Sequence, residues 1–352
     1  LTKQEEKKLM KNYLYKVAPW LDMFDLSRQI GLKSVQLAKT YPCLKYAILA
    51  LSSRQMERTS NLNDSSISAA LYQTSLKHLI PTVKTKLDIG GISACVTLCI
   101  FDMMSRTPEK WRYHLEGCSA LFKATGINGF SEPYERALFW AFARMDVNSA
   151  VIGEQSTMIE SEKWLPDGVS LHSAGEFFKK ENTIDMYANY SVFLSSRVLN
   201  LISSTNVTNF EKEWEFLWTE VNEWHQNRPD EMKPLIEYDS SPFPEILYDN
   251  GPAIGSNQLY HMSMIILMEN KPRLYKTKHS KSPTWHAKQI CSISLNNDHQ
   301  GCWNNSVQTL YVAGKLLTHE DEHKIILDLM DEIETTTGWA MRFRGKDLKE
   351  FW

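Results

Sequence analysis

Apolar side chains recur at three- and four-residue spacing along nearly the whole chain, the period of a helix with one buried face. Leu14, Val17, Ala18, Leu21 and Phe24 open the series, with Pro19 expected to kink or break the run. Residues 42–58 put Leu44, Ala47, Ile48 and Leu51 on one face, and residues 65–78 and 92–104 continue the pattern. After Pro108, a stripe of Trp111, His114, Leu115, Cys118, Leu121 and Phe122 runs to Gly126, a residue suited to ending a helix. Residues 134–152 (YERALFWAFARMDVNSAVI) are apolar almost all round, so this helix is expected to be central and buried on most sides. Periodicity resumes at 184–202, 210–225, 259–268, 285–297, 302–318 and 321–338, the last stopped by Gly338.

Between these runs lie two breaks. Residues 153–183 are polar and irregular, and residues 228–255 hold Pro229, Pro234, Pro242, Pro244 and Pro252. No stretch alternates apolar and polar residues across a hairpin turn, so strands are not expected. The fold class is therefore all-α, with short connections favouring antiparallel neighbours around the 134–152 helix. Neither break is flexible or charged enough to force a boundary, and a single large domain over residues 1–352 is expected.

Composition narrows the class further. The chain is 43% hydrophobic and 23% charged, and its eleven Trp, fourteen Tyr and fourteen Phe exclude a disordered segment. A net charge of −3 lacks the basic footprint of a nucleic-acid grip. Six cysteines, at 43, 95, 99, 118, 291 and 302, are too sparse for a disulfide framework and point to a reducing compartment. The first twelve residues, LTKQEEKKLMKN, are no signal peptide, and the initial Leu suggests a fragment of a longer protein. The most apolar stretch, 92–104, is shorter than a membrane span and contains Asp102, so no membrane association is expected.

Motifs that would carry chemistry are few. His319-Glu320-Asp321-Glu322-His323 satisfies H-E-x-x-H, but Thr318 and Asp321 read as a helix cap. The apolar side of that helix (Ile325, Ile326, Leu329, Met330, Ile333) leaves His319 in a solvated first turn, so no metal is assigned. His114 with Cys118, and Cys95 with Cys99, share helical spacing with metal ligands yet fall within apolar stripes. Asp102 and Arg106 can pair along one turn, whereas Arg144 and Asp146, two apart, must find partners on other elements. Phosphate-binding glycine loops, a nucleophile elbow and the DDxxD of isoprenoid synthases are all absent from the sequence, and no catalytic residue is assigned.

Several strings resemble one family in order. They are residues 111–121 (WRYHLEGCSAL), 137–147 (ALFWAFARMDV), Trp164-Leu165-Pro166, Tyr260-His261 and Lys271-Pro272. Residues 302–317 (CWNNSVQTLYVAGKLL), 322–327 (EHKIIL) and Thr337-Gly338-Trp339-Ala340 complete the set. Together they resemble the second type of fungal-specific transcription factor domain, the regulatory region of fungal zinc-cluster transcription factors. The resemblance implies control of RNA polymerase II transcription from the nucleus, with shuttling to the cytoplasm. It also implies a two-zinc, six-cysteine DNA reader upstream. That cluster is not in this segment, because it needs close C-x-x-C spacing and no C-x-x-C occurs. Zinc and DNA are thus expected only through the missing N-terminal region, with a homodimer and transcriptional co-regulators as partners.

An apolar cavity in such a shell would hold a small hydrophobic effector. The pocket is sought where 134–152 meets 111–122 and 302–317, with His114, Phe139, Trp140, Arg144 and Trp303 as candidates. The alternatives are a helical dimerisation or corepressor platform without ligand, and an all-α enzyme lacking a recognised motif.

Overall fold

The computed structural model describes residues 1–60, 66–85, 88–105, 108–204, 209–276 and 280–352. The chain is all-α apart from one two-stranded sheet, and its elements group into two compact units.

The first unit comprises Leu1–Met145, Lys163–Pro166 and Ile333–Ala340. It opens with α1 (Lys3–Asn12), started by a reciprocal capping box between Thr2 and Glu5. A π-helical turn, Tyr13–Val17, then passes into α2 (Ala18–Leu21). Pro19 falls in the first turn of α2, where its missing N–H costs nothing, so the expected break precedes the proline. There follow α3 (Gln29–Leu37), α4 (Pro42–Thr59), α5 (Ser66–Thr85), α6 (Ile89–Ser105), α7 (Pro108–Thr125) and the start of α8 (Pro133–Gly153).

Helix α4 packs on α1, α5 and α6 and is more central than its stripe suggested. Leu44 and all of residues 47–51 are fully buried. Polar groups at that depth are bonded. Asn12 donates to Ser52 Oγ at 3.1 Å and to Gln55 Oε1 at 2.9 Å. The Glu57 carboxylate accepts from the Ser68 amide and from the hydroxyls of Ser68 and Ser53.

Asp22 starts α3 from below, taking the amides of Ile30 (3.0 Å) and Gly31 (3.0 Å). Burial, with Asp25 nearby, pushes its pKa up to about 7 despite those donors. Gly31 is required here by close approach, since a Cβ would stand 2.6 Å from Asp22 Oδ2 and 3.2 Å from Ala18 Cβ. We expect Gly31→Ala to cost about 2 kcal/mol through overpacking, seen as a lower urea midpoint with an unchanged m-value.

The second unit comprises Asp146–Glu162, Asp167–Glu332 and Met341–Trp352. It contains α9 (Ala174–Glu181), α10 (Ile184–Ser203), α11 (Phe210–Gln226), α12 (Gly251–Glu269), α13 (Pro283–Asn296), α14 (Gln300–Asn305) and α15 (Val307–Gly314). Most of α16 (Glu320–Thr337) and all of α17 (Arg342–Phe351) complete it. Helix α12 is buried on every side and packs on α10, α11 and α13. Gly338, at φ 77°, ends α16 where the sequence placed its stop.

Four features differ from the sequence reading, the first being that the 153–183 break, expected to be irregular, holds α9 (Ala174–Glu181). The 228–255 connection carries an antiparallel hairpin of β1 (Ile236–Tyr238) and β2 (Glu245–Leu247), whose three-residue strands are too short to show alternation. Helix α12 begins at Gly251, eight residues before its apolar run, capped by Asn250 with Pro252 in its first turn. The 302–318 run is two helices, because Ser306 turns its amide and hydroxyl back onto Cys302 and Trp303 carbonyls.

All six cysteines are free thiols, five buried and Cys95 half-buried. Burial raises the thiol pKa of Cys43, Cys95 and Cys291. Among the described residues no helix is long and apolar enough to cross a membrane.

Candidate functional site

Within the first unit the candidates Phe139 and Trp140 meet edge to face, with ring centroids 5.5 Å apart. Each also meets Trp164 edge-on, at 5.6 and 5.9 Å, and Phe139 meets Phe122 at 5.7 Å. These rings fill one another's faces and bury almost completely. Trp140 Nε1 is satisfied by the Gly129 carbonyl at 2.9 Å.

His114 belongs to a separate polar clamp. Its Nδ1 lies 2.8 Å from Asp102 Oδ2, and Tyr72 donates to the same oxygen at 3.1 Å. The clamp joins α5, α6 and α7, and Asp102 in it is fully buried. Arg106, the partner the sequence offered, lies outside the described residues. Arg144 donates to the Leu21 carbonyl at 2.6 Å and stands over the Phe24 ring. Asp146 instead accepts the amides of Met158 and Ile159, so the two charges do look to other elements. Trp303 lies in the second unit, its indole donating to the Ser294 carbonyl at 3.0 Å.

The H-E-x-x-H residues are also engaged locally. His323 Nε2 is 3.0 Å from the Leu317 carbonyl and its ring stacks on Trp352 at 3.6 Å. Glu322 pairs with Lys288 at 2.8 Å. Burial opposes its ionisation, but Lys288 and the amides of His319 and Thr318 outweigh that and hold it below the usual carboxylate range. The acid at this terminus therefore serves the cap, with Glu322 in the role the sequence gave to Asp321.

Two features had no forecast. One is an open groove of about 680 Å³ in the first unit, walled by Tyr46 and Leu49 of α4 and by Ala70 and Leu71 of α5. Glu5 and Glu6 of α1 edge it, Glu6 held by Lys45 at 2.8 Å. The other is a buried imidazole cluster in the second unit. His261 Nδ1 and His286 Nδ1 are 2.8 Å apart, a spacing that requires one ring to donate and the other to accept. His225 stacks on Tyr260 at 4.0 Å, and Tyr260 meets both His261 and His286 edge-on. Burial, then Arg228 and His286, drops the His225 pKa to about 3, and burial drops that of His286 to about 4. His261, buried against both, is held well below its ordinary value. The cluster is neutral at pH 7. Among the described residues no group of three His, Cys, Asp or Glu side chains is arranged to hold a metal ion.

Residues 8–352 match the family model of the fungal specific transcription factor domain. The chain belongs to this family. The transcription activator AMTR1 of Alternaria alternata is 23% identical over 334 residues, covering 72% of this chain and 43% of that protein. The chain thus spans less than half the length of that relative. No solved structure matches it.

Proposed function

We infer that the chain is the regulatory domain of a fungal zinc-cluster transcription factor, working in the nucleus on RNA polymerase II promoters. The family match over residues 8–352 carries this reading. DNA and zinc then belong to a cluster outside this chain, while the domain self-associates and meets co-regulators. Its effector is a small, largely apolar molecule seated in the groove between α1, α4 and α5. The groove's 680 Å³ suits a drug-sized ligand, and Ile67 and Ala70 offer an exposed apolar wall beside two carboxylates. An effector that binds one conformer better shifts the balance of active and inactive forms by that differential affinity. The ring-against-ring packing of Phe139, Trp140 and Trp164 favours a second reading, a ligand-free platform for partners.

Native mass spectrometry of the purified chain, repeated under denaturing conditions, separates the two. A released organic compound supports the effector reading, and Ala70→Trp, which fills the groove, is expected to abolish its retention. A bare polypeptide mass after incubation with an extract of the source cells sinks the effector and leaves the platform.

A further inference from the structure

The second unit carries two surface patches of opposite charge at opposite ends of one helical pair. Helices α12 and α13 run antiparallel, with Gln258 bonded to Ser294 at 2.7 Å and His261 to His286 at 2.8 Å. At one end sits the hairpin. Asn250 ties it to the start of α12 through the Glu231 carbonyl, and Asn297 after α13 bonds the Ile246 carbonyl and the Tyr248 amide. Asn297 thereby closes the far edge of β2, and every residue of β1 is exposed. Asp230, Glu231, Glu237, Asp239, Glu245 and Asp249 are all exposed around it. The cations among the described residues there are Lys233, already paired with Asp230, and half-buried Arg228, which is bonded to Asn257 and lies by Tyr248.

At the other end, the turn after α12 presents Lys271, Arg273 and Lys276, and Lys281 lies before α13, all exposed. Tyr275 anchors that turn by packing edge-on against Trp214 at 4.8 Å. Glu269 ends α12 beside the turn, near Lys315, and Glu211 and Glu215 flank Trp214 on α11; these three exposed carboxylates reduce the local positive charge without cancelling four cations. Apolar exposure follows the same division. Among the described residues the second unit exposes six large apolar side chains. Leu235, Ile236, Tyr238 and Leu247 are on the hairpin, Leu274 (87% exposed) is at the tip of the basic turn, and Phe351 alone lies elsewhere.

The nineteen residues of α12 hold the two patches about 27 Å apart, so they cannot meet within one chain. Two copies can satisfy both at once. A two-fold axis that turns one copy end for end against the other sets each acidic hairpin against the partner's basic turn, and the closed symmetry uses both ends. We propose that the chain self-associates through these complementary ends, the hairpin of each copy receiving the turn around Leu274 of the other. This gives a surface to the self-association proposed above. Charge complementarity sets the register, and the five apolar side chains are covered.

Sedimentation velocity of the 352-residue chain at 50 and 500 mM NaCl tests it. A dimer is expected at low salt, with its Kd weakened at least tenfold at high salt. Lys271→Glu with Arg273→Glu and Lys276→Glu gives a monomer, as does Glu237→Lys with Asp239→Lys and Glu245→Lys. Mixing the two variants sets a native hairpin against a native turn and a reversed hairpin against a reversed turn, so both contacts are complementary again and a heterodimer forms. Unchanged circular dichroism shows that each variant is folded. A dimer indifferent to both reversals overturns this surface while sparing self-association through another face. A monomer at 50 mM overturns both. A monomer whose hairpin binds a Lys-rich extended peptide overturns the proposal and assigns the hairpin to a foreign partner.

Discussion

Lowering the pH from 7.5 to 5 is expected to remove about 2 kcal/mol of stability from the second unit for each of His225 and His286. The sign follows from their depressed folded pKa values, about 3 and about 4 against 6.5 in the unfolded chain. Between those limits the unfolded chain binds the extra protons. The stability is therefore complete above pH 6.5 and drains away as pH falls toward 4. His261, bonded to His286, adds to the loss in the same direction. Asp22 in the first unit acts oppositely, because its raised pKa favours folding below 3.8 and loses that advantage as pH climbs through about 7. His225→Phe keeps the stack on Tyr260 and removes one titrating ring. Amide exchange of α11–α13 at the two pH values, corrected for intrinsic rate, should show a smaller acid loss in this variant than in the wild type. Equal losses would remove the imidazole cluster as the cause.

Phe139→Ala should destabilise the first unit by about 4 kcal/mol. Its ring is fully buried and is met edge-on by Phe122, Trp140 and Trp164, so its removal leaves a void that no single neighbour can fill. Phe139→Leu keeps more of the volume and should cost less than half as much. Urea titration followed by tryptophan fluorescence reads both, since Trp140 and Trp164 line the void. A loss below about 1 kcal/mol for the alanine variant would mean that the core there is already loose.

The helical framework was legible because its signal is local. Residues 134–152 are apolar on all sides, and a helix can tolerate that only in the interior. Gly338 and the 42–58 face were equally readable. The hairpin was not, since three-residue strands between prolines leave no period to detect. For the site, proximity was the missing quantity. Phe139 and Trp140 are neighbours in sequence and share one aromatic core, whereas His114 and Arg144 serve separate contacts with Asp102 and Leu21. The imidazole cluster had a faint trace: Tyr260-His261 and Trp285-His286 are aromatic–histidine pairs inside apolar helices. Twenty-five residues separate His261 from His286, and only the antiparallel packing of α12 on α13 makes them one group. The groove left no trace at all, because its wall takes side chains from three helices whose exposed and buried faces look alike in sequence.

The sheltered thiols provide a built-in mass counter for opening. Cys43, Cys95, Cys99 and Cys118 lie in the first unit, Cys291 and Cys302 in the second. In the folded chain a maleimide meets five buried thiols and one half-buried one, so labelling of the other five waits on structural opening. Opening of the second unit would add two labels per molecule, and opening of the first would add three beyond Cys95. Intact mass after a short alkylation pulse therefore distinguishes which unit has come apart, with no engineered probe.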